Sequence, residues 1–167
     1  WIDHNKGPRE ELTVEMDNCG GQNKNRMVLR FAMLLAELKV YQTVTILFLV
    51  AGHTKNSCDR LFNTLKLEYR KTNVWSMTQL MKTVDRCDDV TPVRASADMF
   101  KDFDAFEDRI YKAVGSGTVN RSHVFVAKAE QPGVLKTFDT CAADSHSTTQ
   151  NLRNGLGQEE RKILLEH

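Results

Sequence analysis

The strongest constraint in this sequence is the run of residues 43–50, Thr-Val-Thr-Ile-Leu-Phe-Leu-Val, which is apolar and rich in β-branched side chains. A continuous run of this length, without polar alternation, is typical of a strand that is buried on both faces. Strands of this kind occur where helices cover a sheet, so the run favours an α/β fold.

The residues before this run predict a strand and then a helix. A half-buried strand is predicted first, because apolar and polar residues alternate at Leu12, Val14 and Met16. A helix is predicted from about residue 25, with Asn23 or Asn25 as its cap. Its apolar residues recur at helical spacing; they are Met27, Val28, Phe31, Leu34, Leu35 and Leu38.

A second amphipathic helix is predicted after the apolar run. Asn56 or Ser57 can cap its start, and apolar residues continue at helical spacing to about residue 71; they are Cys58, Leu61, Phe62, Leu65 and Tyr69. Two strands joined by a helix are normally parallel. The order strand, helix, strand, helix therefore predicts a parallel pair.

The chain is expected to divide into a core over 1–87 and a smaller α+β region over 88–167. Ser76 and Gln79 form the pattern of a capping box before a short helix. Apolar spacing predicts a further helix between residues 99 and 114. Strands are predicted at 123–128 and 134–138, as a hairpin. The polar stretch 140–157 is expected to be partly disordered, and 159–166 to form a terminal helix.

The composition excludes several classes of protein. Lys and Arg total 23 against 22 Asp and Glu, so the net charge of +1 is unlike that of a histone or another polybasic protein. No apolar run approaches the roughly 20 residues of a membrane-spanning helix. The sequence shows no signal peptide and its four cysteines form no CxxC pair. We therefore expect an intracellular protein with reduced thiols and no membrane partner.

The predicted topology brings three polar side chains to one edge of the sheet. Asp17 ends the first strand, His53 closely follows the second, and Asp59 lies in the first turn of the next helix. Open α/β sheets bind ligands at the carboxyl ends of their strands. Two carboxylates and a histidine suit Mg²⁺ or Mn²⁺, which can polarise a phosphodiester and activate an attacking water.

Each of these residues also has a structural interpretation. Asp17 can close an Asx-turn by accepting a backbone N–H. Asp59 stands three residues after Asn56 and can complete a capping box. His53 follows a glycine and can simply be structural.

Two further sites are compatible with the same segments. Cys19, Cys58 and His53 could form a zinc site or a Cys/His nucleophilic pair. The glycine pair at 20–21 could hold a phosphate at a helix N-terminus, as in a small nucleotide-binding domain. The sequence contains neither GxGxxG nor GxxxxGK[ST], so this second alternative has no supporting motif.

Basic residues lie on or beside both predicted helices, near the predicted site at the edge of the sheet. Those that we expect to contact nucleic-acid phosphates are Lys24, Arg26, Arg30, Arg60 and Lys66. Phosphate contacts of this kind supply affinity for nucleic acid without sequence specificity. The alternative is a solvated helix face.

Three motifs resemble a family of transposon-derived eukaryotic proteins. They are Asp-Asn-Cys-Gly-Gly-Gln-Asn-Lys-Asn at 17–25, Gly-His-Thr at 52–54 and Cys-Asp-Arg-Leu-Phe at 58–62. The core of that family resembles the RNase H-like domain of DDE transposases and integrases. The resemblance spans residues 10–70 and is loose beyond residue 74.

This resemblance implies a nuclease that uses Mg²⁺ or Mn²⁺ on DNA phosphodiesters. Asp17 would take the role of the metal carboxylate after the fourth strand, and Asp59 that of the carboxylate on the helix after the fifth. His53 would be an auxiliary ligand or proton carrier. DNA as the partner, a nuclear location and assembly into a homo-oligomer follow from the same resemblance.

The chain departs from that pattern at its start. About ten residues precede the first predicted strand, too few for the first three strands and the first catalytic carboxylate. Together with Trp1 as the first residue, this predicts a fragment with a partial RNase H-like core and an incomplete active site. The alternative function is a non-catalytic, domesticated domain that binds DNA or a protein partner.

Overall fold

A computed structural model of the chain describes residues 9–50, 57–87, 90–100, 102–142 and 144–154. The fold is mixed α/β, as predicted. Its elements are, in chain order, β1 (Arg9–Asp17), α1 (Arg26–Glu37), β2 (Tyr41–Leu49), α2 (Ser57–Arg70), α3 (Met77–Val84), a 3₁₀ helix (Ala97–Met99), α4 (Phe103–Ile110), α5 (Ser116–Arg121), β3 (Val124–Lys128), β4 (Val134–Phe138) and β5 (Ser147–Asn151).

The chain forms two compact units, and the first of them contains the whole sheet. This unit comprises residues 1–51 and 102–167, and the second comprises 52–101. The strand order in the sheet is β1-β2-β3-β4-β5. β1 and β2 run parallel, with Asp17 opposite Leu49, which confirms the predicted parallel pair. The remaining strands continue from β2 as an antiparallel meander.

The predicted hairpin of β3 and β4 is confirmed, but it belongs to the same sheet as β2. The hairpin was predicted in a separate region that begins at residue 88. β2 instead pairs with β3 along its second edge, from Thr43 opposite Lys128 to Leu47 opposite Val124. A strand inside a sheet needs backbone partners on both edges. Local periodicity does not reveal which distant strand supplies the second one.

The core lies between one face of the sheet and α1. Val44, Ile46 and Phe48 of β2 are at most 3% exposed. The ring of Phe48 meets that of Phe125 on β3 edge-to-face, with centroids 5.7 Å apart. α1 contributes its own buried residues to this core; they are Leu29, Ala32, Met33, Leu34, Leu35 and Ala36.

The buried face of α1 differs from the predicted one. Met27 and Phe31 were placed in its apolar stripe, yet both are about 40% exposed. The ring of Phe31 packs against Phe103 of α4, with centroids 5.9 Å apart. α1 is thus covered by the sheet on one side and by α4 on another. The buried residues of α1 therefore do not form the single apolar stripe that was predicted.

The second unit is helical and has few buried side chains. Half of the predicted capping box is confirmed, because Gln79 N–H donates to Ser76 Oγ (3.2 Å). The side chain of Gln79 accepts from the N–H of Trp75 (2.8 Å), one residue before the N-cap. Thr83 and Cys87 are the buried side chains among its described residues. Much of the apolar stripe predicted for α2 is exposed, including Phe62 at 62%.

Three elements in the second half differ from their predictions. The helix expected over 99–114 is limited to α4, capped by Asp102, whose carboxylate accepts the N–H of Ala105 (3.1 Å). The short helix α5 lies between the predicted helix and the first strand of the hairpin, where no element was predicted. β5 occupies part of the stretch expected to be disordered, because pairing with β4 orders its polar residues. The terminal helix predicted at 159–166 lies outside the described residues.

No helix in the part of the chain that the structure describes is long and apolar enough to cross a membrane.

Gly133 lies at the turn between β3 and β4, and its backbone conformation leads to a prediction about stability. Its φ is +75°, and a Cβ placed on it would lie 2.5 Å from the Cβ of Arg153. We expect Gly133→Ala to lower the free energy of unfolding by about 2 kcal/mol, because both the backbone conformation and the contact become strained. Urea unfolding followed by circular dichroism measures this.

Gly117→Ala is the matched control, because nothing lies within 4 Å of a Cβ at that helical position. It should leave stability unchanged or raise it by up to about 1 kcal/mol. Equal effects of the two substitutions would contradict the assigned turn geometry.

Candidate functional site

The candidate site begins at the carboxyl end of the parallel strand pair. Asp17 is the last residue of β1 and lies opposite Leu49, the last residue of β2. Both strands therefore end at the same edge, as the sequence predicted. The Asp17 side chain is exposed at this edge.

The loop after Asp17 is held by its own hydrogen bonds. The carbonyl of Cys19 accepts the N–H groups of Asn23 and Lys24, each at 3.1 Å. Asn25 caps α1, since its Oδ1 accepts the N–H of Val28 (3.0 Å) while its Nδ2 donates to the carbonyl of Gln22 (2.9 Å). Several polar residues of the 17–25 motif therefore have a structural role in the start of α1.

Lys24 was predicted to contact nucleic-acid phosphates, but its side chain is buried. Its Nζ donates to the carbonyl of Asn120 in α5 (3.3 Å) and lies 5.4 Å from the centre of the Phe48 ring. Burial lowers the pKa of Lys24. This corrects the prediction, because the ammonium joins the loop to α5 instead of facing solvent.

Arg30 is also enclosed, at 2% exposed. Its guanidinium donates to the carboxylate of Asp108 and, at 3.1 Å, to the carbonyl of Tyr111. The hydrogen bond from Arg30 holds the pKa of Asp108 below its usual range. This corrects the prediction for Arg30, whose donors are directed at α4 and the residue that follows it.

Arg26 forms a second ion pair between the same two helices. Its guanidinium donates to both carboxylate oxygens of Asp104, at 3.0 and 3.3 Å. Both side chains remain partly exposed, so this pair is worth at most about 1 kcal/mol. The three predicted phosphate contacts near α1 thus all have partners within the protein.

Glu107 of α4 is fully buried, and neither of its carboxylate oxygens has a hydrogen-bond partner among the described residues. Burial raises the pKa of Glu107 to about 7. The nearby Arg30 guanidinium opposes this rise, whereas the carboxylates of Asp104 and Asp108 add to it. A carboxyl group in this setting is stable mainly in its protonated form.

A further polar cluster, centred on the buried Tyr111, ties α1 to the end of the described chain. Glu37 accepts hydrogen bonds from the Tyr111 hydroxyl (3.1 Å) and from the Arg153 guanidinium. Burial, followed by the charge of Glu37, raises the pKa of the Tyr111 phenol. These hydrogen bonds join α1 to the residue after α4 and to Arg153, which is a structural role.

The burial of these ionisable residues was not predicted, although the sequence contains a signal for it. Glu107 lies between Phe103, Phe106 and Ile110, at positions that share one helical face. An ionisable residue inside an apolar stripe indicates a buried polar group. Arg30 carries the same signal, because it lies four residues before Leu34.

The remaining predicted site residues belong to the second unit or lie outside the described residues. Arg60 and Lys66 are exposed on α2. Asp59 lies in α2, but its side chain is outside the described residues, as is the whole of His53. Within the described ranges no group of three or more His, Cys, Asp or Glu side chains could hold a metal ion. The metal site therefore stays a prediction.

The other face of the sheet carries a shallow apolar cavity of about 370 Å³. It is lined by residues that alternate with the core residues along the strands, together with the segment after β4; these are Thr13, Thr45, Leu47, Val124, Phe138, Thr140, Cys141 and Ala142. Few polar groups converge there, so the cavity lacks the chemistry of a catalytic site.

Comparison with known protein families gives one match. A family model described as Domain of unknown function (DUF7869) matches residues 3–144. The chain belongs to this family. The DUF7869 match includes Asp17, the loop after it and β4, and it ends before β5. No curated protein and no solved structure matches the chain.

The buried carboxyl of Glu107 generates a pH prediction. Its pKa is raised from 4.5 to about 7 on folding, so ionisation costs stability increasingly as the pH rises from 4.5 to 7. We expect Glu107→Gln to raise the free energy of unfolding at pH 8 by about 1–3 kcal/mol, with little effect at pH 5. Urea unfolding at the two pH values measures this.

Glu130→Gln is the control, because it removes an exposed carboxylate. Its effect on stability should be small at both pH values. A Glu107→Gln variant that is destabilised equally at pH 5 and pH 8 would show that the carboxyl has a partner in the folded protein.

Proposed function

We propose that this chain carries part of a transposase-like nuclease core of the RNase H-like type, which uses Mg²⁺ or Mn²⁺ for phosphodiester chemistry on DNA. The observation that supports it is the position of Asp17. A carboxylate is exposed at the carboxyl end of a parallel β–α–β unit, where α/β sheets bind their ligands. The motifs at 17–25, 52–54 and 58–62 support the same assignment.

The donor chemistry of Asp17 fits a hard divalent cation. Exposed carboxylates are ligands that Mg²⁺ prefers, and among the described residues no ion pair engages Asp17. His53 and Asp59 stay sequence predictions for a proton carrier and a second ligand. A metal held there would polarise the scissile phosphodiester and lower the pKa of an attacking water or hydroxyl.

The proposal includes an incomplete active site and a nuclear location. The first catalytic carboxylate of the RNase H-like pattern is not assigned to any residue of this sequence. The chain by itself is therefore expected to bind metal without cleaving DNA.

A second candidate is a non-catalytic domain that binds nucleic acid through α2. Arg60 and Lys66 are exposed on this helix, and so are the aromatic side chains of Phe62 and Tyr69. Cations contact phosphates, while exposed aromatic rings can stack on unpaired bases. This observation favours single-stranded over duplex nucleic acid.

The metal proposal is tested by calorimetric titration with Mn²⁺ and Mg²⁺. We expect binding in the micromolar to low millimolar range, weakened at least tenfold in the double variant Asp17→Ala, Asp59→Ala, because both carboxylates would be lost. Glu130→Gln serves as the control for a general change in charge. Equal titrations of the wild-type protein and the double variant would show that the two aspartates are turn and helix-cap residues.

The second candidate is tested by the salt dependence of binding to a labelled single-stranded oligonucleotide. Arg60→Gln with Lys66→Gln should reduce the slope of log affinity against log salt by about 1.4, since two phosphate contacts are lost. Phe62→Ala should weaken binding about 5- to 100-fold through lost stacking.

Lys112→Gln with Lys136→Gln is the matched control, because it removes two exposed charges from the first unit. If the two double variants lose affinity equally, the binding reflects net charge and α2 is not the binding surface.

A further inference from the structure

β1 forms one edge of the sheet and is long for an edge strand. It contains nine residues, Arg9–Asp17. Among the described residues no strand pairs with the side of β1 that faces away from β2. Such an edge presents a row of backbone N–H and C=O groups that can bind another strand.

One face of β1 is apolar but only half-buried. Its apolar residues are Leu12, Val14 and Met16, which lie opposite Val44, Ile46 and Phe48 of β2. The three β2 residues are at most 3% exposed, whereas the three β1 residues are only partly buried, since no described strand covers their outer flank. A further strand with apolar residues on this face would complete their burial.

The opposite face of β1 is acidic. Glu11 and Glu15 are both exposed on it. Their cross-strand neighbours on β2 are Thr43 and Leu47, and neither of these side chains is positively charged. A basic side chain on an added strand would be their direct cross-strand partner, and such pairs stabilise sheets.

We propose that the open edge of β1 binds an extended segment of a protein partner as an added strand, in which apolar residues alternate with Lys or Arg. The apolar residues would continue the face of Leu12, Val14 and Met16. The basic residues would lie beside Glu11 and Glu15. This surface adjoins the proposed metal site, because β1 ends at Asp17, but the proposal does not depend on the nuclease function.

A second copy of the chain fits this edge less well than a basic strand. With the apolar faces on the same side, the antiparallel register that aligns all nine residues of the two β1 strands places Glu11 opposite Glu15. Like charges directly opposite each other destabilise a sheet.

The other edge of the sheet shows the contrast. β5 has five residues, Ser-Thr-Thr-Gln-Asn, all polar. It offers neither an apolar face nor charge to an added strand.

The test uses a fluorescein-labelled nine-residue peptide, Lys-Val-Lys-Val-Thr-Val-Lys-Val-Lys, and fluorescence anisotropy. We expect it to bind the wild-type chain, and the same peptide with Glu in place of each Lys to bind at least tenfold more weakly. The variant Glu11→Lys, Glu15→Lys should reverse this preference by about tenfold or more for each peptide. Circular dichroism checks that the variant folds.

Two further measurements locate the binding. A peptide with the same composition but with Lys and Val in separate blocks has the same charge without the alternation, and it should bind at least tenfold more weakly. In the wild-type chain, the alternating Lys peptide should slow amide hydrogen exchange at residues 11–17 and leave β5 unchanged. This measurement decides the question even if the charge-reversed variant does not fold.

Several results would overturn the proposal. They are no binding of the alternating Lys peptide, equal binding of the block peptide, and a charge reversal that changes nothing. Full protection of all β1 amides in the free chain would mean that the chain itself, or a second copy of it, already covers the edge. Sedimentation at two concentrations separates these last two cases.

Discussion

The fold depends on β2 having a partner on each side and a helix against one face. It pairs in parallel with β1 and antiparallel with β3, and it places Val44, Ile46 and Phe48 beneath α1. A strand this apolar is stable only when its surface is removed from water and its backbone groups are paired. That requirement brings β1 and the distant strand β3 into one sheet with β2. It also determines the edge of the sheet at which Asp17 lies.

Charged residues hold α1 and α4 together in this arrangement. Arg30 is buried with Asp108 and the carbonyl of Tyr111 as its partners, while the nearby Glu107 is buried without a hydrogen-bond partner among the described residues. Burying charges costs free energy, so their contribution to stability is smaller than their short distances suggest. Basic residues near a candidate site therefore cannot be counted as ligand-binding residues until their partners are known. Lys24, just before the start of α1, illustrates the same point.

Exposed charged residues define three surfaces with different chemistry. The carboxyl edge offers Asp17, the outer edge of β1 offers Glu11 and Glu15, and α2 offers Arg60 and Lys66 beside exposed aromatic rings. A divalent cation suits the first, a basic strand the second and a nucleic-acid backbone the third. Membership of the DUF7869 family assigns no activity to any of them.

Much of the local structure could be predicted from the sequence, because it depends on near neighbours. Periodicity and capping residues determined β1, α1, β2 and the hairpin of β3 and β4. The parallel pairing of β1 with β2 followed from the helix between them. The position of Asp17 at the end of this pair followed for the same reason. The exposed apolar stripe of α2 shows the limit of such predictions. Periodicity indicates that a helix face is apolar, but it does not indicate which element covers that face.

Long-range contacts decided the rest. The placement of β3 beside β2, the ordering of the polar strand β5 and the burial of Lys24 and Arg30 each depend on residues far away in the chain. A sequence determines which residues favour strands, helices and caps, because those preferences arise within a few residues. Only the tertiary structure decided which charges are enclosed, since burial depends on elements that meet across the whole fold.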